Sequence, residues 1–458
     1  MEDMKNGKRS SFSGKLGYVL AAAGASVGLG NIWRFPYLAA KYGGGIFLII
    51  YIVLALTFGY TMIVAETAIG RMTRKSPVGA FKSFGKKKWL SFGGWINAVI
   101  PVLIVPYYSV IGGWVIKYLV EYFRGNAKLL AEDGYFTDFI SNGVSTELCF
   151  VAFCAFTLII IFAGVQNGIE RVSKIMMPIL IVLSVIIAVY SVTRPGAFAG
   201  VKYFLVPNVK NFSWMTVVSA MGQMFYSLSI AMGILITFGS YMKKDTAIED
   251  STRNVEIFDT GIAIMAGLMI IPAVFAFSGG DPGTLQAGPS LMFITIPKVF
   301  QNMGFGTVIG IVFFLLVLFA AVTSSIALTE SAVSTFEDEL GWGRKKATVL
   351  VGVIMLALGS LSSLGYGPLA GIKIIGMQFL DLFDFLTNSV MMPIAALLTS
   401  LFVSRVVGID KIEEEIIHGE SAFRRKKVFV VMIKYLCPVF AIIILLSSVA
   451  NALGWIKM

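Results

Sequence analysis

Charge and reactive side chains are scarce in this 458-residue chain. Only 14% of its residues are charged, against about 25% in an average soluble domain. There is a single histidine, His418, and it sits in a charged stretch, so no histidine pair is available for a zinc-type centre. The three cysteines, Cys149, Cys154 and Cys437, all lie in apolar runs and form no disulfide framework. What fills the chain instead is apolar: 57% of residues are hydrophobic. A soluble fold of this size could not hide that much apolar surface. A cytosolic enzyme, a disordered chain and a secreted disulfide scaffold are thereby excluded. The chain reads as an all-α polytopic membrane protein.

Eleven apolar segments are long enough, at about 20 residues per crossing, to span a bilayer. They run 17–38, 44–70, 92–122, 148–164, 174–193, 213–240, 255–277, 304–335, 347–365, 369–402 and 428–455. The polar N-terminus leads into a full span with no cleavage site, so no signal peptide is expected. The net charge of +11 could suggest a nucleic-acid partner, but its distribution excludes one. With residues 1–15 cytoplasmic, about 25 of the Lys and Arg fall on that side and about 8 in the outer loops, the asymmetry of the positive-inside rule. Arg71, Arg74, Lys75 and Lys86–Lys88, then Arg344–Lys346, then Arg424–Lys427 are topology signals that meet anionic lipid. The expected placement is the plasma (inner) membrane, N-terminus in the cytoplasm and C-terminus outside.

Two spans are interrupted. The first reads Gly24-Ala25-Ser26-Val27-Gly28-Leu29-Gly30-Asn31-Ile32-Trp33-Arg34. Each Gly costs a helix roughly 1 kcal/mol relative to Ala. A small-residue packing seam would account for Gly24 and Gly28, but not for Asn31 and Arg34, because polar groups at membrane depth are costly and usually functional. The sixth span, Gly222-Gln223-Met224-Phe225-Tyr226-Ser227-Leu228-Ser229-Ile230-Ala231-Met232-Gly233, mixes hydroxyls, an amide and small residues in the same way. If the chain holds two repeats, 15–195 and 212–402, followed by a last span at 428–456, both breaks fall in the first helix of a repeat. Paired broken helices are the sequence pointer to a transporter site at the midplane. The run Thr323-Ser324-Ser325 in the eighth span offers hydroxyls to a hard cation; the plainer reading is back-bonding to a carbonyl one turn earlier. Asp259, at the start of the seventh, is either an end-of-helix charge or a counter-charge for that cation.

The run Gly28-Leu29-Gly30-Asn31-Ile32-Trp33-Arg34-Phe35-Pro36-Tyr37 resembles the first-helix signature of the neurotransmitter:sodium symporters. Gly43-Gly44-Gly45, Pro106-Tyr107-Tyr108, Gly222-Gln223 to Gly233, Thr323 to Ala327 and Phe336 to Leu340 extend the likeness over nearly the whole chain. The eleven spans look like the bacterial amino-acid members. The resemblance implies a five-plus-five inverted-repeat fold with helices 1 and 6 broken and a site between helices 1, 3, 6 and 8. One sodium would take the carbonyl of Ser26 with Asn31, Ser227 and Asp259. A second would take the carbonyls of Gly24, Val27 and Ala320 with the hydroxyls of Thr323 and Ser324. Family members that need chloride hold it near the positions of Tyr51, Gln223 and Ser227. Asp259, where Asn is common, could replace that anion, so no chloride requirement is expected.

The resemblance also implies the substrate. Monoamine carriers have Asp at the position of Gly28; a Gly there calls for a substrate that brings its own carboxylate, an α-amino acid. Tyr108 and the amides near Leu29 and Gly30 would take the carboxylate; carbonyls near Ala25 and Tyr226, with Ser229, would take the ammonium. Ala25, Ile104, Tyr226, Met232, Ser324 and Leu328 would line an uncharged side-chain pocket suited to a large hydrophobic or aromatic residue. Arg34 and Asp384 would pair above it, with Tyr108 and Tyr226 as a lid. Arg9 and Asp338, helped by Tyr241, would pair at the inner end, each pair holding only in the state where its vestibule is shut. The expected function is sodium-coupled amino-acid symport by alternating access, not catalysis. A proton-coupled carrier of the same fold and a non-transporting amino-acid sensor are the alternatives.

Overall fold

A computed structural model describes residues 9–279, 288–452 and 455. Residues 453, 454 and 456, at the end of the last expected span, lie outside the described residues. The protein is an all-α membrane protein, with no strand among the described residues. Among the described residues, nine continuous helices are long and apolar enough to cross a bilayer: α2 (Gly45–Thr73), α3 (Lys88–Phe123), α4 (Gly143–Phe162), α5 (Val165–Val192), α7 (Ile248–Ser278), α8 (Gly306–Leu340), α9 (Arg344–Leu364), α10 (Phe379–Val407) and α11 (Lys426–Asn451). The remaining two are broken. In α1, Lys15–Ser26 and Gly30–Lys41 meet at a 53° bend. In α6, Trp214–Ser227 and Ile234–Tyr241 are separated by six non-helical residues.

The layers follow from polarity. The most apolar window of α3 is 78% buried, that of α5 and of α11 only 33%. Helix α3 therefore stands in the centre, packed along α8, while α4, α5 and α11 present Leu148, Ile159, Val182 and Leu446 outward, as lipid-facing helices do. With 36 residues, α3 is roughly 54 Å long, enough to cross the membrane at a tilt. Where α2 crosses the second half of α6, Gly70 and Gly239 let the backbones touch: a Cβ on Gly239 would sit 2.4 Å from the carbonyl of Thr67.

Four helices begin five or more residues from where the sequence reading places them. Helices α4, α5 and α7 begin five, nine and seven residues earlier than expected. Asn142 caps α4 through the Ser145 amide, and Gly164, at φ +90°, turns the chain into α5. Helix α10 starts ten residues later, because Gly365, Gly367, Pro368 and Gly376 hold 365–378 in turns.

At the ends of α2 and α7 the connector between α10 and α11 is clasped in place. Buried Arg71 donates to Glu415 (2.7 Å) and to the Thr246 carbonyl. Glu420 accepts the N–H groups of Glu249 and Asp250 that open α7. Glu249 in turn accepts those of Arg424 and Arg425 that open α11. Glu420 thus satisfies orphan donors at the start of α7, and Glu249 those of the turn that leads into α11.

Candidate functional site

The two interruptions face each other. In α1 the helix stops at Val27 (φ −73°, ψ +98°) and resumes as a wide turn over Gly30–Arg34. In α6, Ser229 (φ +53°), Ala231 (φ +59°) and Gly233 (φ +69°) all take left-handed backbone conformations. Only the last is glycine, so the stretch is strained at two positions, by about 1–2 kcal/mol each. It is held from outside: Ser229 Oγ donates to the carbonyl of Ala25 (3.0 Å), and the Ala231 N–H donates to buried Glu66 on α2 (2.8 Å).

Between them lies a cavity with about 350 Å³ of empty space. Its lining is Ala25, Ser26, Gly28, Leu29, Gly30, Asn31, Ile104, Tyr108, Tyr226, Ser227, Ser229, Met232, Ser324 and Leu328. All ten residues expected to contact substrate are here, together with Ser26 and Ser227, expected beside substrate at the first sodium, and with Gly28 and Asn31. Ala25, Ile104, Met232 and Leu328 are its aliphatic members, and among the described residues no charged side chain lines the wall. Tyr108 accepts the Leu29 N–H at 3.3 Å. A Cβ on Gly28 would lie 2.6 Å from Ser324 Oγ and one on Gly30 2.4 Å from the Tyr226 ring, so neither position admits a side chain without movement.

On one flank of the cavity Asn31, Ser227 and Asp259 converge, all buried. Asn31 Nδ2 donates to Ser227 Oγ (2.9 Å) and Asp259 Oδ1 (2.8 Å), and Ser227 Oγ donates to the same Oδ1 (2.8 Å). Tyr51 donates to Asp259 Oδ2 (2.9 Å). Asp259 therefore stands among the groups named for chloride rather than at a helix end. Gln223 donates to the Gly30 carbonyl (3.0 Å). The Ser26 hydroxyl turns back to Ala22, which leaves its carbonyl as its available oxygen. On the other flank, Ser324 Oγ lies 3.3 Å from the carbonyls of both Gly24 and Val27. Thr323 Oγ1 is 3.2 Å from the Ala320 carbonyl, and a Cβ on Gly24 would touch its side chain. Every donor there is a neutral oxygen, the set a hard alkali cation takes.

The charge pairs divide. Arg9 binds Asp338 and also Ser334 (2.7 Å) and Ser240 (2.9 Å), with its guanidinium over the Tyr241 ring at 5.1 Å. The Tyr241 hydroxyl itself goes to Glu330 (2.7 Å), which pairs with Arg344 (2.6 Å). At the opposite end Arg34 and Asp384 are not paired, the arrangement expected where that vestibule is open. Both line an open cavity of about 1260 Å³. Arg34 lies over the Tyr226 ring at 5.3 Å, and Asp384 accepts from Asn388 (2.6 Å) and Tyr107 (3.2 Å). Nor do Tyr108 and Tyr226 stack as a lid; Tyr226 alone lines both cavities. Glu66, Tyr107 and Glu330 are the residues missed. Glu66 had a signal, being the only acid in the second span.

Comparison with known proteins follows the same lines. The profile of the sodium:neurotransmitter symporter family matches residues 9–131 and 138–454. The uncharacterized sodium-dependent transporter YhdH of Bacillus subtilis is 34% identical over 97% of this chain and 99% of its own length. The sodium- and chloride-dependent GABA transporter 2 of Macaca fascicularis is 26% identical over 89% of this chain and 74% of its own. The crystal structure of MhsT in complex with L-phenylalanine superposes with a TM-score of 0.86, at 35% identity, over 96% of this chain and all of that one.

Proposed function

Because this chain belongs to the sodium:neurotransmitter symporter family and is a multi-pass sodium-dependent transporter, we propose that it imports a neutral L-amino acid with a large hydrophobic or aromatic side chain. The observation that carries the reading is the cavity between the two helix breaks. Among the described residues its wall is uncharged and largely apolar, and Gly28 brings no side chain of its own into it. A substrate there must supply its own carboxylate, and a neutral side chain is the only kind the wall would accept without burying an unpaired charge. That MhsT was solved with L-phenylalanine agrees with this size and chemistry.

Two sodium ions are cargo in this scheme. One would be held by Asn31, Ser227, Asp259, the Ser26 carbonyl and the substrate carboxylate. The other would be held by the carbonyls of Gly24, Val27 and Ala320 with Thr323 and Ser324. The Asp259 carboxylate, hydrogen-bonded by Tyr51, Ser227 and Asn31, supplies the negative charge that chloride brings elsewhere, so transport proceeds without chloride. The N-terminus is cytoplasmic and the C-terminus outside; residues 15–195 and 212–402 are the two repeats. Substrate enters past Tyr226, helices α1, α2, α6 and α7 rock against the rest, and the Arg9–Asp338 pair parts to release it. The sodium gradient drives the cycle, with about 2.3 kcal/mol per charge for each 100 mV.

Counterflow of radiolabelled amino acids in proteoliposomes tests this. Uptake is expected with sodium but not with potassium or choline, equal in chloride and gluconate, and led by phenylalanine, tyrosine, tryptophan or leucine. Asn31→Ala and Thr323→Ala should each weaken sodium-dependent uptake. Uptake driven by a proton gradient without sodium, binding without transport, or unchanged sodium dependence in both variants would overturn it.

A further inference from the structure

Glu147 sits where the proposed transport cycle has no use for it. It lies in the second turn of α4, beside α9, and lines a groove of about 900 Å³ between those helices. The rest of the wall is Val144, Leu148, Val151, Leu364 and Pro368, with Asn142 and Gly143 at the start of α4; Asn142 spends its Oδ1 on the Ser145 amide. Val144 and Leu148 are 73% and 67% exposed, so on a membrane protein this surface meets lipid. One carboxylate oxygen, Oε1, accepts from the Ser360 hydroxyl. The other, Oε2, is shut off from solvent and has no hydrogen-bond partner. Among the described residues no Lys or Arg lines the groove or pairs with Glu147.

A buried carboxylate oxygen without a donor is costly. Protonation does not remove the deficit, since the O–H would then lack an acceptor. The second turn is also beyond the reach of the helix dipole. What is missing is a donor that arrives with apolar bulk attached.

We propose that this groove binds a phospholipid whose headgroup carries an ammonium N–H, the acyl chain lying along Val144, Leu148 and Val151 and the Glu147 side chain turning so that its sealed Oε2 accepts from the ammonium. The argument is charge and hydrogen-bond complementarity. A primary ammonium has three donors, while a trimethylammonium has the charge and no donor at all. An anionic headgroup is repelled. The groove opens at the start of α4. The opposite end of α4, near Arg344, belongs to the side that carries Arg9, so the lipid is one of the leaflet facing away from the N-terminus.

The test is lipid retention by the purified full-length protein, read by native mass spectrometry. The probes are dioleoyl phosphatidylethanolamine, its N-methyl and N,N-dimethyl derivatives, phosphatidylcholine and phosphatidylglycerol. Ethanolamine lipid is expected to bind about tenfold more tightly than choline lipid. The preference should survive one and two methylations, which leave an N–H, and vanish at the third. Glu147→Gln should abolish the preference, Ser360→Ala should keep it, and Leu148→Trp should exclude every lipid from the groove. Sodium-dependent substrate binding by the variants shows that they are folded. Equal retention of ethanolamine and choline lipids by the wild type overturns the proposal without any variant being needed. So does an undiminished preference in Glu147→Gln, or a dimer dissociated by Leu148→Trp with no lipid retained, which would make a second copy the occupant.

Discussion

The two ends of the helical bundle are furnished with the same kinds of residue and stand in opposite conditions. At the end bearing Arg9, charge is joined to charge and wrapped. Phe12 lies edge-on to Tyr18, Phe238 and Tyr241, and Arg9 is shared among three acceptors. At the end bearing Arg34, the arginine rests on an aromatic ring and Asp384 on an amide one turn away, with open space in front of them. Opposite charges within reach of one another therefore do not shut an end unaided. A partly exposed pair contributes about 0–1 kcal/mol, and each partner at the open end already has a resting place. The closed end adds an aromatic plug and a second, buried pair.

The largest way to break this contrast is to remove the buried pair. Glu330 is wholly buried and binds Arg344 and Tyr241. In Glu330→Gln the half-buried Arg344 guanidinium keeps as counter-charge only its longer contact with Glu337 (3.9 Å), a loss of about 1–3 kcal/mol. The midpoint of thermal unfolding of the purified variant should fall by roughly 2–5 °C. A smaller effect is expected from Arg9→Ala, whose partner Asp338 is 22% exposed. In a background with Cys149, Cys154 and Cys437 replaced by Ser, a reporter Ser331→Cys should react with maleimide about fivefold faster, the equivalent of roughly 1 kcal/mol. The smallest tests the open end. Arg34→Lys keeps the charge but loses the planar contact with Tyr226, and substrate affinity should weaken about twofold. If Arg34→Lys proved more damaging than Arg9→Ala, the loose and tight ends would have been assigned the wrong way round.

The sequence was legible where the chemistry is local. Glycine and hydroxyl runs in apolar spans marked both broken helices, because unwound backbone at membrane depth needs small residues and polar partners in the same few positions. The cavity wall was legible for a related reason: its residues fall within or beside those interruptions, the motif around Tyr108 or the hydroxyl run of α8. The start of α10 was misplaced because Ile372, Ile374 and Ile375 keep 369–378 apolar, while the turn residues decide its shape. Glu66 was visible as a solitary acid, but its partner, the Ala231 N–H, is free only because α6 is unwound, which no reading of α2 alone can show. The partners of Asp384 depend on which end of the protein is open, and composition carries no record of that.

Glu66 also bears on how α6 behaves in time. Rewinding residues 228–233 would relieve the left-handed strain at Ser229 and Ala231, yet it would draw the Ala231 amide into the helix and strand a carboxylate that has no solvent to turn to. Each arrangement is penalised, the wound one on α2 and the unwound one on α6. The gap is thus spring-loaded against its neighbour, and α6 can move only as a piece with α2, as a door moves with the post it is latched to.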